Sequence, residues 1–364
     1  MKKVFIITAL FYFISQPGAF AQGCVAIRST GASCSMEHPD LIGSKWEVNA
    51  NYRYFKSFRH YSGKEEQKQR QVLHNDVRNY SNSLDFSISR IISSRLTLSL
   101  NVPFVYTTRS SLYEHGLVNG HYVKQERRNT SAHGLGDMRI SAYYWLLDPV
   151  KHMNGNIQAG LGLKLPTGNY DYKDLWYNVG ANGGPELRTV DQSIQPGDGG
   201  TGFTTEVNGY YNFSHHFGAY GNGFYLFNPR NMNGTRTYRE TLSASLYNET
   251  IMSVSDQYMG RAGFSYMTEK LGFSLGGRID GIPVHDLIGK SDGFRRPGYA
   301  IAVEPGLNFS THKIHWYLNV PIAVSRNRTQ SVTDKQRTVA SGTYQIGDAA
   351  FADYVINVGA TFKF

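Results

Sequence analysis

Five of the twelve histidines are candidates for general acid–base catalysis at the rim or outer wall of a membrane protein: His133, His215, His216, His285 and His315. A membrane-embedded hydrolase needs such a histidine beside a nucleophile, with a third polar group to orient it. The sequence places no convincing nucleophile in register with any of the five. A hydrolase is therefore the third hypothesis for this chain, and no catalytic residue is predicted.

Two groups of residues have the chemistry of metal ligands. The stretch at about 167–200 contains four aspartates that could bind Ca²⁺: Asp171, Asp174, Asp191 and Asp198. Their spacing matches no calcium-binding loop, so solvated loop carboxylates are the favoured interpretation. Nearer the N-terminus, Cys34, Met36 and His38 could suit a soft metal such as copper, but no further ligand is in register. Neither a metal nor a cofactor is predicted.

The N-terminus has the three parts of a signal peptide. Lys2 and Lys3 are positive, residues 4–14 are apolar, and Ala19 and Ala21 fit the small-x-small cleavage pattern. An apolar run of that length is too short for a membrane-spanning helix, which takes about 20 residues. No later stretch approaches that length. We therefore expect export, cleavage after residue 21 and no transmembrane helix.

Two cysteines, Cys24 and Cys34, follow the predicted cleavage site. A disulfide between them is the favoured expectation in an oxidising periplasm. An acylated Cys24 is the rival, but a lipoprotein would carry a leucine three residues earlier, where this chain has Ala21. Residues 22–44 are accordingly predicted to be a periplasmic lead-in that contains this disulfide.

The last twelve residues, 353–364, alternate between an apolar face and a mostly polar one. The apolar face consists of Tyr354, Ile356, Val358, Ala360, Phe362 and Phe364. A strand of this kind needs an apolar neighbour on one side and hydrogen-bonding partners along both edges. A closed barrel in a bilayer meets both needs, with lipid outside and a polar lumen inside. The aromatic ending also resembles the last strand of bacterial outer-membrane proteins, where it serves the barrel assembly machinery. The edge strand of a soluble β-sandwich is the alternative for this stretch alone.

Similar alternating stretches recur from residue 45 to the C-terminus, and their connections alternate between long and short. Five short turns and six long loops are what a barrel of twelve strands requires when both termini lie at the end with the short turns. A soluble sandwich gives no reason for such strict alternation. We therefore predict an all-β fold, a transmembrane antiparallel up-and-down barrel of about 12 strands over residues 45–364. The short turns are expected to be periplasmic and the long loops external.

The composition agrees with this fold class. Tyr (25), Phe (20) and Gly (38) are abundant, and the mean hydropathy of −0.39 argues against a helical membrane protein. Loss of Lys2 and Lys3 with the signal peptide lowers the formal charge from +9 to +7. The basic residues are scattered rather than clustered, so solvated loop charges are favoured and nucleic acid is not an expected partner.

Alternation also predicts which charged side chains face the lumen. Both signs occur among these lumen-lining candidates, which are Glu47, Arg53, Asp85, Asp137, Arg139, Lys164, Glu206, Arg261, Arg278, Asp280, Glu304 and Lys363. Twelve strands fall between the filled eight-stranded barrels and the open sixteen-stranded porins. We expect a narrow passage, or a lumen partly plugged by the lead-in or by an inward loop.

Two motifs on the fourth and fifth predicted strands resemble a known family. Residues 134–137 read Gly-Leu-Gly-Asp, and residues 162–168 read Gly-Leu-Lys-Leu-Pro-Thr-Gly. Together they resemble the transporter-like outer-membrane family associated with the MetA pathway of phenol degradation. The resemblance implies a barrel that admits small organic molecules, and it supplies no catalytic residues. From the residues themselves, Asp137 and Lys164 are expected to face the same lumen, where an ion pair between them is plausible.

The leading functional hypothesis is a passive outer-membrane channel for a small solute, with aromatic and hydrophobic molecules as candidates. The alternative is a non-conducting barrel whose external loops bind a partner or a surface ligand. The expected surroundings are outer-membrane lipid and lipopolysaccharide, and the barrel assembly machinery is expected to contact the strand that ends at Phe364.

Overall fold

The computed structural model describes residues 45–112, 114–115, 127–238 and 244–364. The predicted signal peptide, the lead-in and the Cys24–Cys34 disulfide lie outside these residues. Twelve barrel strands are present: β1 (Trp46–Ser62), β2 (Arg78–Ile91), β3 (Leu96–Ser111), β4 in two segments (Arg128–Leu135 and Arg139–Trp145), β5 (Gly155–Lys164), β6 (Gly202–Asn212), β7 (Phe217–Phe227), β8 (Gln257–Met267), β9 (Leu271–Ile282), β10 (Gly298–Ser310), β11 in two segments (Ile314–Asn319 and Ile322–Arg328) and β12 (Ala349–Lys363).

The barrel is closed by β1 and β12. These strands pair antiparallel from Glu47 opposite Lys363 to Tyr61 opposite Ala349, and the remaining strands pair with their neighbours in chain order. The backbone of Phe364 continues this seam, because its N–H donates to Trp46 (2.9 Å) and its carbonyl accepts from Lys45 (2.8 Å). Closure pairs the first strand with the last, so the wall has no unpaired terminal strand, and a closed sheet is the form in which β-structure crosses a bilayer. The predicted fold class is confirmed.

The connections alternate as the sequence predicts, which gives the barrel a short-turn end and a long-loop end. Among the described residues, the elements of the long loops are short: a strand at Glu65–Glu66, helix α1 (Gln69–Val72), the strand pair Lys173–Trp176 and Glu186–Thr189, the strand pair Met232–Arg236 and Ile251–Ser253, three 3₁₀ turns (Ala181–Gly183, Gln192–Ile194 and Ala244–Glu249) and helix α2 (Val332–Ser341). In the described ranges, no helix combines the length and the apolar character needed to cross a membrane.

Helix α2 begins and ends at well-defined caps. Ser331 and Asp334 form a capping box, in which each side chain accepts a hydrogen bond from the other residue's backbone N–H, and Gly342 ends the helix with a φ of 68°. Such caps satisfy backbone groups that the helix itself leaves unpaired. They also fix the carboxylate of Asp334 near the barrel mouth.

The outer wall of the barrel is apolar and exposed. Leu161, Phe264 and Val324 are 63–68% exposed, which would be unfavourable in water for a contiguous band. Aromatic residues near the strand ends are also exposed, among them Trp46, Tyr106, Phe213 and Trp316. An apolar band flanked by aromatic girdles is the surface that a transmembrane barrel presents to lipid.

Two strands are interrupted, and both interruptions have local causes. The sequence predicts the fourth strand at about 135–147, but β4 starts at Arg128. Gly134 and Gly136 lie at a break within the strand rather than at its entry, and Gly134 has a φ of 129°. β11 is split at Val320 and Pro321, where proline has no N–H to donate to a neighbouring strand. Because of these breaks, the two segments of β4 pair separately with β3, and the two segments of β11 pair separately with β10.

Lumen-facing tyrosines lie over glycines on neighbouring strands. Tyr143 is directly opposite Gly160, and Tyr317 is directly opposite Gly359. A Cβ atom at Gly160 would lie 2.7 Å from the Tyr143 ring. These glycines therefore create space that aromatic rings then fill, as in the ring-over-glycine pairs that pin sheet register.

A methyl group at Gly160 should destabilise the barrel. We expect Gly160→Ala to lower the free energy of unfolding by about 1–3 kcal/mol, because the ring of Tyr143 must move to avoid overpacking. Urea unfolding in detergent measures the change. Gly223→Ala is the matched control, since nothing lies within 4 Å of its added Cβ atom. Equal stability of the two variants would contradict the proposed packing.

Candidate solute pathway

A buried ionic network crosses the middle of the lumen. Glu304 accepts a hydrogen bond from Nη1 of Arg261 (3.1 Å), and its other carboxylate oxygen lies 3.5 Å from Nη1 of Arg278. Arg278 also donates to both oxygens of Asp280, at 2.7 Å each. These four residues come from β8, β9 and β10, and their register places them on the same side of the wall.

The network continues across the seam of the barrel. Nη2 of Arg53 lies 3.7 Å from Asp85, and its Nε donates to Asn357 (3.1 Å). Arg53, Asn357 and Tyr317 line a void of about 10 Å³ together with Arg261, Arg278 and Glu304. A void of this size holds about one water at most, so side chains fill the bore on the seam side.

A second polar cluster lies on the β4–β7 side. Glu206 accepts hydrogen bonds from the Tyr143 hydroxyl (3.2 Å) and from the Asn208 and Asn222 side-chain amides (3.3 and 3.2 Å). Hydrogen-bonded side chains therefore also line the lumen on the β4–β7 side.

On the long-loop side of the network, the lumen opens into a cavity of about 180 Å³, here called the lumen cavity. Part of its lining is apolar: Phe55, Phe224, Leu226 and Ile282. Four cationic side chains and two carboxylates also line it: Arg53, Arg139, Lys164, Arg296, Asp137 and Asp198. Arg139 lies over the face of the Phe224 ring, with its Cζ 5.1 Å from the centroid. The cavity therefore combines an apolar wall with fixed positive charge.

Residues 190–198, here called the inner loop segment, fold into the bore and line this cavity. Val190, Asp191 and Ile194 in the segment are almost completely buried. On the β2–β3 side, the Ser193 hydroxyl lies 3.3 Å from Asn79 Nδ2 and 3.2 Å from Arg109 Nη1. The inward-loop form of the predicted plug is what the structure shows.

Asp191 anchors the inner loop segment. Its two carboxylate oxygens accept from Nη1 and Nη2 of Arg296, at 3.2 Å each. One of them, Oδ2, also lies 3.6 Å from Nη2 of Arg109. Asp191 also accepts from the backbone N–H and hydroxyl of Ser193 (2.9 and 2.6 Å). Burial alone would raise the pKa of Asp191, but Arg109 and Arg296 outweigh burial and hold this pKa far below its usual range.

A second anchor lies at the other end of the segment. Lys164 forms an ion pair with Asp198 and lies 3.8 Å from Asp137. Asp137 in turn accepts from the backbone N–H groups of Gly168 and Asp198, at 3.0 Å each. The pair suggested by the sequence, Asp137 with Lys164, is present, but Lys164 lies closer to Asp198.

A further cavity of about 180 Å³ lies at the long-loop end and is here called the outer cavity. Five arginines line it: Arg109, Arg295, Arg296, Arg328 and Arg337. His60 also lines it, accepting from the N–H of Val77 (2.9 Å) through Nε2 and contacting Asp348 (2.8 Å) through Nδ1. Arg296 lines both cavities, so the outer cavity and the lumen cavity meet at this side chain.

The twelve sequence-predicted charged residues fall into separate groups. The mid-lumen network contains Arg53, Asp85, Arg261, Arg278, Asp280 and Glu304, the lumen cavity adds Asp137, Arg139 and Lys164, and Glu206 belongs to the cluster on the opposite side. Glu47 and Lys363 pair at the short-turn end, away from both cavities. Their role in a solute pathway stays a prediction.

The interpretation of the aspartates at 167–200 as solvated loop carboxylates is wrong for Asp191, which is fully buried. The reason is that its loop turns into the bore, where two arginines compensate its charge. Asp174 accepts from the backbone N–H of Ser131 (2.6 Å), and Asp171 lies 3.7 Å from Lys173. Asp191 and Asp174 therefore anchor the loop, whereas Asp171 is exposed, as the solvated interpretation predicts.

The candidate histidines lie on different strands and loops, except His215 and His216, which are consecutive in one short turn. His133 contacts the Tyr172 hydroxyl (3.0 Å), His216 the carbonyl of Met267 (2.8 Å) and His285 the amine of Lys335 (3.3 Å). His315 lies 2.8 Å from the Ser310 hydroxyl, a contact that sequence reasoning missed because the hairpin register was unknown. Neither residue of this pair lines the lumen cavity or the outer cavity.

The comparisons with known proteins agree with the fold. No family model and no curated protein sequence matches the chain. Among solved structures, the chain is similar to an outer-membrane channel from Pseudomonas putida F1, with a TM-score of 0.58 and 12% identity over 90% of this chain and 98% of that one. A weaker similarity, with a TM-score of 0.45 and 11% identity, is to the β domain of a Bordetella autotransporter, over 88% of this chain and all of that one. At 12% identity the likeness to the Pseudomonas putida channel shows the barrel fold, the one that the family resemblance also implies.

Proposed function

We propose that this protein is an outer-membrane channel that passively admits a small solute through its lumen. The observation that carries the proposal is the lumen cavity, which lies in the bore between the mid-lumen network and the inner loop segment. Pockets for drug-sized ligands measure roughly 300–1,000 Å³, so a cavity of about 180 Å³ suits a smaller molecule. The apolar wall formed by Phe55, Phe224, Leu226 and Ile282 favours a solute with an aromatic or aliphatic body. The similar structure from Pseudomonas putida F1 is that of an outer-membrane channel, which supports the same function.

In this proposal residues 1–21 are removed on export, residues 22–44 form a periplasmic lead-in with the Cys24–Cys34 disulfide, and residues 45–364 form the barrel. Lipid surrounds the apolar wall, and lipopolysaccharide surrounds its external half. The side chain of Phe364 is 69% exposed although its backbone is paired. An exposed terminal ring is accessible to the barrel assembly machinery during folding.

Planar-bilayer recording tests the channel function. The refolded protein comprising residues 22–364 should give stepwise conductance, and a version that lacks residues 22–44 shows whether the lead-in obstructs the bore. Steps only from the shorter version would make the lead-in a second plug. Silence from both, with folded barrels confirmed by heat-shifted gel mobility, would contradict the proposal.

A binding barrel is the second candidate, because the long loops carry exposed apolar side chains. Val72, Leu287, Val339 and Tyr344 are 68–85% exposed, and exposed apolar side chains can supply contacts to a partner. Saturable binding of a partner by a folded, non-conducting barrel would favour this candidate over the channel.

A further inference from the structure

Arg328 differs from Arg109 and Arg295, two other arginines of the outer cavity, in how fully hydrogen-bond acceptors satisfy its guanidinium group. Arg295 donates to Ser253 and to both oxygens of Asp286. Arg109 donates twice to Glu114 through Nε and Nη2, at 2.9 and 2.5 Å. Each of these two arginines therefore has a carboxylate of its own at hydrogen-bonding distance.

Arg328 is 3% exposed, and its Nη2 donates a hydrogen bond to Asp334 (3.0 Å). Its Nε and Nη1 atoms are buried and have no hydrogen-bond partner among the described residues. Asp334 is also shared, because it accepts from the backbone N–H groups of Ser331 and Gly347 and lies 3.9 Å from Arg337. One carboxylate thus serves two guanidinium groups and two backbone donors.

A buried guanidinium with unsatisfied N–H groups is unfavourable unless a ligand or water accepts from it. An anion in the outer cavity would accept from Arg328 and gain charge-assisted hydrogen bonds, which are the stronger kind. Carboxylates are well matched to guanidinium donors in this respect.

The lining of the lumen cavity indicates a second property of the solute, an apolar body. Arg296 lies at the junction of the two cavities, and beyond it the lumen cavity offers Arg53, Arg139 and Lys164 beside an apolar wall. A solute with a charged head and an apolar body can contact both parts of this lining at once. An inorganic anion can use only the charges, and a neutral hydrocarbon only the apolar wall.

We propose that the outer cavity is a capture site for a small organic carboxylate with an apolar or aromatic body, bound through Arg328 and passed inward past Arg296. This inference rests on the proposed channel function and names its substrate class. Benzoate is the simplest probe of that class, because it joins one carboxylate to one ring.

Block of the chloride current through the refolded protein tests the proposal. Benzoate should reduce the current in a saturable manner, whereas benzyl alcohol, benzylammonium and inorganic phosphate at the same concentrations should reduce it much less. Arg328→Gln should raise the half-blocking concentration of benzoate roughly tenfold, as expected for the loss of one charge-assisted hydrogen bond. Arg328→Lys keeps the charge and should retain part of the block.

Arg188→Gln is the matched control, because Arg188 pairs with Glu186 in a long loop and lines neither cavity. Heat-shifted gel mobility shows whether each variant is folded. Equal block by benzoate and benzylammonium, or unchanged benzoate block in folded Arg328→Gln, would overturn the proposal and would mean that water occupies the outer cavity. Failure of the channel function itself is a different result, the absence of any current from the unsubstituted protein.

Discussion

The Asp191→Asn variant is expected to conduct at least about tenfold more current than the unsubstituted protein. Asp191 is fully buried and is the carboxylate that Arg296 contacts through both terminal nitrogens. Removing one partner of a buried ion pair costs about 3–5 kcal/mol, and each 1.4 kcal/mol is about tenfold in an equilibrium constant. Most of this free energy stabilises the closed position of the inner loop segment. Its loss therefore raises the population of the open position. Single-channel recording measures the change as open probability.

Asp171→Asn is the control for this prediction. Asp171 lies in the same loop, but its side chain is 49% exposed and 3.7 Å from an equally exposed Lys173. A surface pair of this kind contributes little, so its removal should leave the current unchanged. Equal currents from Asp191→Asn and the unsubstituted protein would mean that the segment does not control the bore.

The pH dependence of the closed state follows from the same carboxylate. The folded-state pKa of Asp191 lies far below the unfolded value, which is about 3.9 for aspartate. The contribution of Asp191 to the closed state is therefore fully present above about pH 4 and is lost only as the pH falls toward the folded-state value. Between about pH 5 and 8, protonation of Asp191 should not change the current, and single-channel recording at several pH values checks this. A rise in current on mild acidification that is absent from Asp191→Asn would contradict this assignment.

The Glu304→Ala variant should lose about 3–5 kcal/mol of unfolding free energy. Glu304 is 2% exposed and is the carboxylate that Arg261 and Arg278 share across three strands. Alanine leaves two buried guanidinium groups with one carboxylate fewer, and the barrel cannot hydrate them fully. Urea unfolding followed by tryptophan fluorescence in detergent measures the loss.

Glu269→Ala is the control for the network, because Glu269 is exposed in the short turn between β8 and β9. It should unfold like the unsubstituted protein. If Glu304→Ala were as stable as Glu269→Ala, the mid-lumen network would contribute little to the fold, and water would have to replace the carboxylate.

The strands and their order could be predicted from the sequence because each barrel strand shows a period of two along its own residues. The alternation of loop lengths then predicts twelve strands and places both termini at the short-turn end of the barrel. The break in β4 was missed, because Gly134 and Gly136 give the same local signal at the entry to a strand as within it. Only the pairing of Arg128–Leu135 with β3 shows that the strand starts earlier.

The candidate pathway was less predictable, because its contacts join residues that are far apart in the chain. The charges of the mid-lumen network follow from alternation, but which carboxylate Arg261 and Arg278 share depends on the register of β10. Asp191 gave no signal at all, since an aspartate in a polar loop has the composition of a solvated residue. Its partners Arg109 and Arg296 lie 82 and 105 positions away, and only the inward fold of the loop brings them together.

The central claim, that the inner loop segment closes a conducting bore, is tested most directly by locking the segment to the wall. Asn79 Nδ2 and Ser193 Oγ lie 3.3 Å apart, so cysteines at these two positions can be joined by a short reducible thiol cross-linker. Cys24 and Cys34 would be replaced by serine in this variant, and each single cysteine variant serves as a control. We predict that cross-linking abolishes the current and that reduction restores it. A current that is the same before and after cross-linking, with the cross-link confirmed by mass spectrometry, would contradict the account.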